Sequence, residues 1–209
     1  AAHTEWRNEM YITDLKTEYR CNPIGIDCKQ PRLSWKLESE TPNMMQESYR
    51  ILAYADEAQM HPIWDSGVVL SSQSQRVLWN GPALTSMERV YWKVCAVISN
   101  GEQVEQTESA VAFFEMGLLQ KDDFVAKWIN PELECDPQVH KPASYLATTF
   151  TVENKGEARL YITAHGLYEA FINGKRVGDF VLAPGTYNYE KHLAYQTYDV
   201  TDLVQEGEN

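Results

Sequence analysis

Residues 161–203 decide the fold that the sequence predicts, and they read YITAHGLYEAFINGKRVGDFVLAPGTYNYEKHLAYQTYDVTDL. Apolar and polar side chains alternate over 158–164, which is the pattern of a strand with one buried face. A second strand is predicted over 168–172. It ends at Asn173-Gly174, a dipeptide that tolerates the two positive φ angles of a type I′ hairpin turn. The stretch therefore predicts an antiparallel β-sheet.

The second half of this stretch is predicted to form a loop and a short turn. Pro184-Gly185 interrupts the strands. Asp199 and Asp202 flank a short helical turn that Gly207 is expected to close. The two carboxylates could also be read as calcium ligands. We interpret them as caps, because acidic side chains at the ends of a turn commonly accept hydrogen bonds from its free N–H groups.

Residues 10–117 carry short apolar runs and turn signals at the spacing of a β-sandwich. The strongest alternating run comprises Val90, Trp92, Val94, Ala96 and Ile98. Other strands are predicted over 33–37, 49–55, 63–70 and 75–79, and between the Asn100-Gly101 turn and Met116. Roughly seven strands with a Trp on an early one predict a fibronectin type III-like or immunoglobulin-like sandwich.

Charge and proline dominate residues 118–142, which are predicted to connect two domains. Trp128 and Ile129 are expected to dock on one of the domains, since a free linker would leave them exposed. An incomplete jelly-roll-like sandwich is predicted over 143–209, and residues 1–9 are expected to form a tail. The predicted fold class is all-β, with two β-sandwich domains.

Several separated motifs resemble one known family. Those in the second half match the N-terminal β-sandwich of bacterial α-L-rhamnosidases of glycoside hydrolase family 78, and they are INGKRVGD (172–179), LAPG (182–185) and YQTYDVTDL (195–203). Others resemble the fibronectin-like module that precedes it, namely PRLSWKLES (31–39), SYRILAYA (48–55), IWDSGVV (63–69), VYWKVCAV (90–97) and FFEMGLL (113–119). The resemblance covers essentially the whole chain.

The resemblance implies that this chain is the front part of a longer enzyme. The intact protein would hydrolyse terminal α-L-rhamnosides with inversion, using two carboxylates of a downstream helical barrel that this chain does not contain. No catalytic residue is therefore assigned here, and the chain alone is expected to be inactive. Its own acidic pairs, Asp122/Asp123 and Glu132/Glu134, are predicted to be solvated because nothing apolar surrounds them to raise a pKa.

The candidate sugar-binding residues are Asn173, Tyr187, Asn188 and Tyr189. Tyrosine faces suit the C–H groups of a pyranose ring, and amides suit its hydroxyl groups. Some family members use a related sandwich to bind rhamnose with calcium. Family members often read Trp-Thr-Asp-Tyr after the Pro-Gly, whereas this chain has Thr186-Tyr187-Asn188-Tyr189. The alternatives are that turn geometry alone explains Asn173 and that the tyrosines pack against the barrel or a partner domain.

The composition excludes several classes of partner. Lys plus Arg number 18 against 30 Asp plus Glu, which gives a formal net charge of −12. Such a charge repels phosphate backbones and anionic lipid surfaces. No apolar run reaches the roughly eighteen residues of a membrane span, and no signal peptide is apparent at the start of the chain. We expect neither a nucleic acid nor a membrane partner, and a periplasmic or extracellular location is favoured.

Metal and nucleophile signatures are also missing from the sequence. The four cysteines, at 21, 28, 95 and 135, lack the CxxC spacing of zinc ribbons, and the five histidines lack an HxxxH pattern. A bridge between Cys21 and Cys28 stays open from their spacing. His165, before Gly166, is interpreted as a structural turn residue. No metal and no cofactor are predicted.

Two other functions compete with the enzyme hypothesis. A stand-alone carbohydrate-binding or cell-surface adhesion module would use the same sandwiches, since this architecture serves many roles. A structural spacer without a ligand is the third possibility. A sandwich that lacks strands would also expose edges and apolar faces, so self-association is expected.

Overall fold

Strands make up almost all of the regular structure in the computed structural model, which describes residues 10–131, 136, 138–140 and 142–209. The chain divides into two compact units, Ala1–Asp123 and Phe124–Asn209, called here the first and second unit. The predicted tail, the acidic pair Glu132/Glu134 and Cys135 lie outside the described residues. The domain limits given above stay predictions.

The described part of the first unit contains nine strands and a short 3-10 helix, Lys121–Asp123. The strands are β1 (Met10–Thr17), β2 (Arg32–Ser39), β3 (Met45–Tyr54), β4 (Pro62–Asp65), β5 (Val69–Leu70), β6 (Val77–Leu78), β7 (Arg89–Ser99), β8 (Val104–Glu108) and β9 (Ala112–Glu115). One sheet has the order β1-β2-β6. The other has the order β4-β3-β7-β8, with β5 also paired to β3 and β9 to β7.

Two predicted strands are wrong because each is divided in two. The run over 63–70 becomes β4 and β5, since the Ser66 hydroxyl accepts the Ile51 N–H (2.8 Å) and Gly67 takes a φ of 65°. The run before Met116 becomes β8 and β9. There the Ser109 hydroxyl accepts the N–H of Val94 on β7 (3.0 Å), so a side chain interrupts the ladder between backbones.

The two sheets enclose one core. Along β7 the even-numbered side chains from Val90 to Ile98 are buried, which confirms the predicted alternation. Opposite them lie Leu33 and Trp35 of β2, both fully buried, and the Trp35 indole donates to Gln46 Oε1 (2.9 Å). The structure therefore confirms an all-β first unit of immunoglobulin-like design.

The second unit contains shorter strands. They are β10 (Thr151–Val152), β11 (Arg159–Ile162), β12 (Phe171–Ile172), β13 (Lys175–Arg176), β14 (Gln196–Asp199) and β15 (Gly207–Glu208). In the described residues they form three two-stranded ladders, β10-β15, β11-β14 and β12-β13. The turn of the predicted hairpin is confirmed, because Asn173 (φ 51°) and Gly174 (φ 75°) join β12 to β13. The strand predicted over 168–172 is wrong in length, because β12 contains only Phe171 and Ile172.

The predicted helical turn after Asp199 is wrong in one respect. Asp199 Oδ1 accepts the Thr201 N–H (3.0 Å), as a cap should. The turn does not continue as a helix, because Gly207 pairs with Val152 in the β10-β15 ladder instead of closing it. Strand pairing at this point satisfies the backbone groups that a longer helix would have satisfied.

The structure describes three of the four cysteines. Cys21 and Cys28 are free and exposed, so the bridge that their spacing left open is absent. Cys95 is half-buried, and burial raises the pKa of its thiol. Among the described residues no helix has the length and apolar character to cross a membrane.

Candidate functional site

The predicted sugar-binding loop lies in the second unit, after the cis Ala183-Pro184 peptide. Asn188 organises it, because its carbonyl oxygen accepts the N–H groups of Lys191 and His192 (both 2.9 Å). Its side-chain Oδ1 accepts the N–H of Glu190 (3.2 Å). Tyr187 packs edge-on against His192, with 5.4 Å between ring centroids. Asn188 is therefore a turn residue in this structure.

Tyr189 belongs to a group of three rings, which we call the ring stack (Trp128, His165 and Tyr189). Tyr189 lies parallel to His165, with 4.6 Å between centroids and 7° between planes. Its hydroxyl accepts the Gly166 N–H (2.8 Å). Trp128 contacts the same imidazole, at 4.4 Å and 51°. The central histidine therefore holds two aromatic rings that come from distant parts of the sequence.

The ring stack presents a large aromatic surface to solvent. Trp128 is 64% exposed and Tyr189 is 40% exposed. Exposed rings held by their neighbours can stack on the apolar face of a pyranose without a large loss of side-chain entropy. Trp128 contacts His165 but stays 64% exposed, and Ile129 is 72% exposed, so the prediction that docking would cover both side chains is wrong.

Asn173 has a different place in the second unit. Its Nδ2 donates to the Leu203 carbonyl (3.0 Å) and to Asn209 Oδ1 (2.9 Å). The hydrogen bonds and ring contacts of the described residues do not join Asn173 to the loop that carries Tyr187. The structure thus brings together Tyr187, Asn188 and Tyr189 but ties Asn173 to the C-terminal segment.

Sequence reasoning missed Trp128 and His165 as members of the site. Trp128 lies within the predicted connection, and the position of His165 before Gly166 favours a purely structural turn residue. An unexplained Trp in a polar stretch was the one signal in the sequence that could have indicated this site. The residue that Trp128 contacts, His165, lies 37 positions further along the chain. Pattern analysis over a short window does not detect such pairs.

Asp123, at the start of the predicted connection, has a structural role. Asp123 accepts the Ser86 hydroxyl and the Gln120 N–H, and these hydrogen bonds lower the pKa of its carboxyl group, the Ser86 bond most. A general acid in a glycosidase needs a raised pKa instead. Asp122 is exposed. Among the described residues, no group of three or more His, Cys, Asp or Glu side chains is arranged to hold a metal ion.

Together the fold and the site define an all-β protein with an immunoglobulin-like module, followed by a smaller β-unit that carries an exposed aromatic surface. Residues 12–120 match the family described as Rha78A-like, N-terminal immunoglobulin domain. Residues 153–209 match the Alpha-L-rhamnosidase N-terminal domain. The first match covers more than half of the chain, and the chain belongs to this Rha78A-like family. The resemblance found in the sequence motifs is therefore confirmed.

Known proteins agree with this assignment across both units. An α-L-rhamnosidase of Formosa agariphila is 37% identical over 200 residues, which are 90% of this chain and 21% of that protein. One of Alteromonas sp. (strain LOR) is 36% identical over 209 residues, 94% of this chain and 22% of that protein. The solved α-L-rhamnosidase from Dictyoglumus thermophilum matches with a TM-score of 0.82 and 33% identity, over 95% of this chain and 24% of its own. The chain spans about a fifth of the length of the curated relatives that it matches.

Proposed function

We propose that this chain is the non-catalytic N-terminal portion of an α-L-rhamnosidase. The observation that carries the proposal is the match of both units to N-terminal domains of α-L-rhamnosidases, over about a fifth of the relatives' length. The complete protein hydrolyses terminal α-L-rhamnosides with inversion, by a carboxylic acid and a carboxylate in a helical barrel outside this chain. The two units described here brace that barrel.

The second unit offers a surface for this bracing. We call it the apolar band, and it consists of exposed Leu167, Phe171, Phe180, Val181 and Leu182, each between 56% and 68% exposed. The Tyr168–Ala183 bridge holds the two parts of the band side by side, with 2.9 Å between Tyr168 N and Ala183 O. Monomeric proteins rarely leave such patches uncovered. The proposed occupant is the catalytic barrel of the same polypeptide.

Hydrolysis of an aryl α-L-rhamnoside tests the proposal. Purified residues 1–209 should release no aryl alcohol above the buffer rate, while the complete gene product should turn the substrate over. Turnover by residues 1–209 alone would contradict the non-catalytic assignment. A complete product that leaves the rhamnoside intact would contradict the family-level function.

Sugar binding at the ring stack is a second candidate function, and it is the activity that a stand-alone carbohydrate-binding module would show. The exposed, preorganised rings of Trp128 and Tyr189 favour it. Calorimetry with L-rhamnose, with and without calcium, measures it directly. Binding heat should be lost in Tyr189→Ala and kept in Tyr145→Ala, because Tyr145 is 98% exposed and outside the stack. Equal heats in both variants would rule out the ring stack as the binding surface.

A further inference from the structure

A concave surface lies in the first unit, where strands from the edges of its two sheets meet. It is a cleft of about 230 Å³. Its walls come from β3, β4, β5 and β6 and from the segments that follow β4 and β6. The residues used below are Tyr49, Ile51, Trp64, Val77 and Asn80. The ring stack belongs to the other unit, so the two surfaces are separate candidates.

Tyr49 is the unusual residue of this cleft. Its side chain is 8% exposed, and burial raises the pKa of its hydroxyl group. Trp35 packs against its ring, at 5.2 Å between centroids. The hydrogen bonds of the described residues include none to the Tyr49 hydroxyl. The ring of Tyr49 is buried but its hydroxyl oxygen is not, so this oxygen reaches the cleft and is available to a ligand.

Trp64 provides a fixed aromatic wall. Its ring packs on Trp79, with 4.7 Å between centroids, and the Trp79 indole in turn donates to the Pro82 carbonyl (2.9 Å). Gly81 lies against both rings, since a Cβ atom there would be 2.4 Å from Trp79 Cζ2 and 3.0 Å from Trp64 Cγ. The absence of a side chain at Gly81 therefore allows this ring position. A preorganised ring of this kind binds the C–H face of a sugar at low entropic cost.

The remaining walls limit the chemistry of an occupant. None of the residues that line the cleft is charged, so a neutral ligand fits best. Ile51 and Val77 supply apolar surface, while the Asn80 side chain, whose Oδ1 accepts Gln30 Nε2 (3.2 Å), adds an amide group. The volume is below the roughly 300 to 1,000 Å³ of sites for drug-sized ligands. One monosaccharide ring is the size of occupant that this space accepts.

We propose that this cleft binds one neutral deoxyhexose residue of the glycan, with a C–H face on Trp64 and a ring hydroxyl on the Tyr49 hydroxyl. The choice of sugar class rests on the proposed function, because a rhamnosidase works on a polymer or glycoside that presents a methyl-bearing ring. The apolar walls receive that methyl group. The immunoglobulin-like unit thereby holds substrate near the enzyme in addition to its bracing role.

Titration of residues 1–209 with L-rhamnose, followed by ¹⁵N-resolved NMR, tests the proposal. Saturable shifts are expected at the Trp64 indole and the Asn80 side-chain amide. Tyr49→Phe removes one oxygen atom and should weaken the affinity about 3- to 10-fold, the effect of one lost hydrogen bond. Tyr11→Phe is the matched control on the exposed side of β1, and it should bind like the unchanged protein.

Three results would overturn the proposal. They are a titration without saturation, an unchanged affinity in a Tyr49→Phe variant whose melting curve shows that it is folded, and shifts confined to residues 124–209. The last result would point to the ring stack instead. Hydrolysis of an aryl rhamnoside by the complete protein is independent of all three, so failure of this cleft and failure of the proposed function are distinguishable.

Discussion

The two units differ most in how much apolar surface each one buries. In the described residues the first unit encloses a cluster of nineteen buried side chains, among them Trp35 and Trp92 with no exposed surface. The cluster of the second unit contains three, Val177, Val200 and Val204. A small unit with so few buried side chains gains little from the hydrophobic effect. The difference supports our proposal that the second unit packs against the catalytic barrel of the complete protein.

Strand length explains part of this contrast. In the first unit β3 and β7 have ten and eleven residues and pair along almost their whole length. No strand of the second unit exceeds four residues in the part that the structure describes. Short ladders leave fewer side chains between neighbouring strands, so apolar residues such as Phe180 and Leu182 stay outside. The predictions below test this contrast, in order of expected effect.

The largest expected effect comes from the core of the first unit. Phe114→Ala should lower the free energy of unfolding of the first unit by about 3 to 5 kcal/mol. The reason is that a cavity replaces a fully buried ring that packs edge-on against Trp79. Phe113→Ala, at the next position and facing the other way, should cost about 1 kcal/mol. Urea unfolding followed by tryptophan fluorescence measures both. Equal losses would mean that the two faces of β9 do not differ as described.

A buried ion pair gives the next effect. Glu115→Ala should cost about 3 kcal/mol, because Arg89, whose side chain is 17% exposed, loses the carboxylate that it contacts at 2.6 Å. The Arg50–Asp65 pair is the control, with side chains 46% and 44% exposed. Asp65→Ala should cost under about 1 kcal/mol. Chemical unfolding of both variants checks the ranking, and a reversed ranking would contradict it.

In the second unit one glycine allows the close packing of a tyrosine ring. Gly178 has a φ of 64°, and a Cβ atom there would lie 2.4 Å from Tyr198 Cε1. Gly178→Ala should therefore destabilise this unit by about 2 kcal/mol. Gly156→Ala meets no atom within 4 Å and should change stability by less than about 0.5 kcal/mol. Amide hydrogen exchange over 171–177 reports the result, and unchanged exchange in Gly178→Ala would refute the packing against Tyr198.

The apolar band supplies a matched pair across the units. Val181 is 68% exposed and Val104 of the first unit is 66% exposed. In the complete protein that we propose, Val181→Ser should lower stability by about 1 kcal/mol, because the barrel buries this side chain. Val104→Ser should have no effect beyond the uncertainty of a thermal melt. In residues 1–209 alone the two variants should behave alike, and a loss confined to Val104→Ser would argue against the band as an interface.

The smallest expected effect is a response to acid in the first unit. Hydrogen bonds from Lys36 and then Lys16 lower the pKa of Asp14 to about 2, and Arg50 lowers that of Asp65 to about 2. The ordinary pKa of an aspartate side chain is 3.8, so the unfolded chain binds more protons between about pH 4 and pH 2. Stability should be fully present above that window and fall as the pH drops through it. Asp14→Asn combined with Asp65→Asn should flatten the fall, and an equally steep fall would assign it to other groups.

Local patterns in the sequence account for much of the fold. The alternation from Val90 to Ile98 is set by side chains two positions apart, and β7 follows it. Asn173-Gly174 fixes its own turn geometry, so the hairpin was predictable. The division of the run over 63–70 was not, because it depends on a hydrogen bond from Ile51 to the Ser66 hydroxyl across the sheet. Such pairings between distant residues leave no periodic signal.

The candidate site was predictable to a smaller extent. Tyr187, Asn188 and Tyr189 share one loop because they are neighbours in sequence. Residue type alone groups Asn173 with them, but its hydrogen bonds lead to Leu203 and Asn209. The sequence patterns did not predict the pairing of the Trp128 and His165 rings, or the place of the Tyr49 hydroxyl in the cleft of the other unit. Both arrangements form only when distant segments of the chain come together in the fold. Tertiary packing, which short-range propensity does not encode, creates these arrangements.

Hydrogen exchange by mass spectrometry on residues 1–209 and on the complete protein tests the central claim most directly. The claim is that the first unit is self-sufficient while the second is covered by the catalytic part. Peptides that contain Phe180 to Leu182 should exchange much more slowly in the complete protein than in residues 1–209. Peptides from β3 and β7 should exchange equally in both. Equal exchange of the 180–182 peptides in the two proteins would contradict the claim.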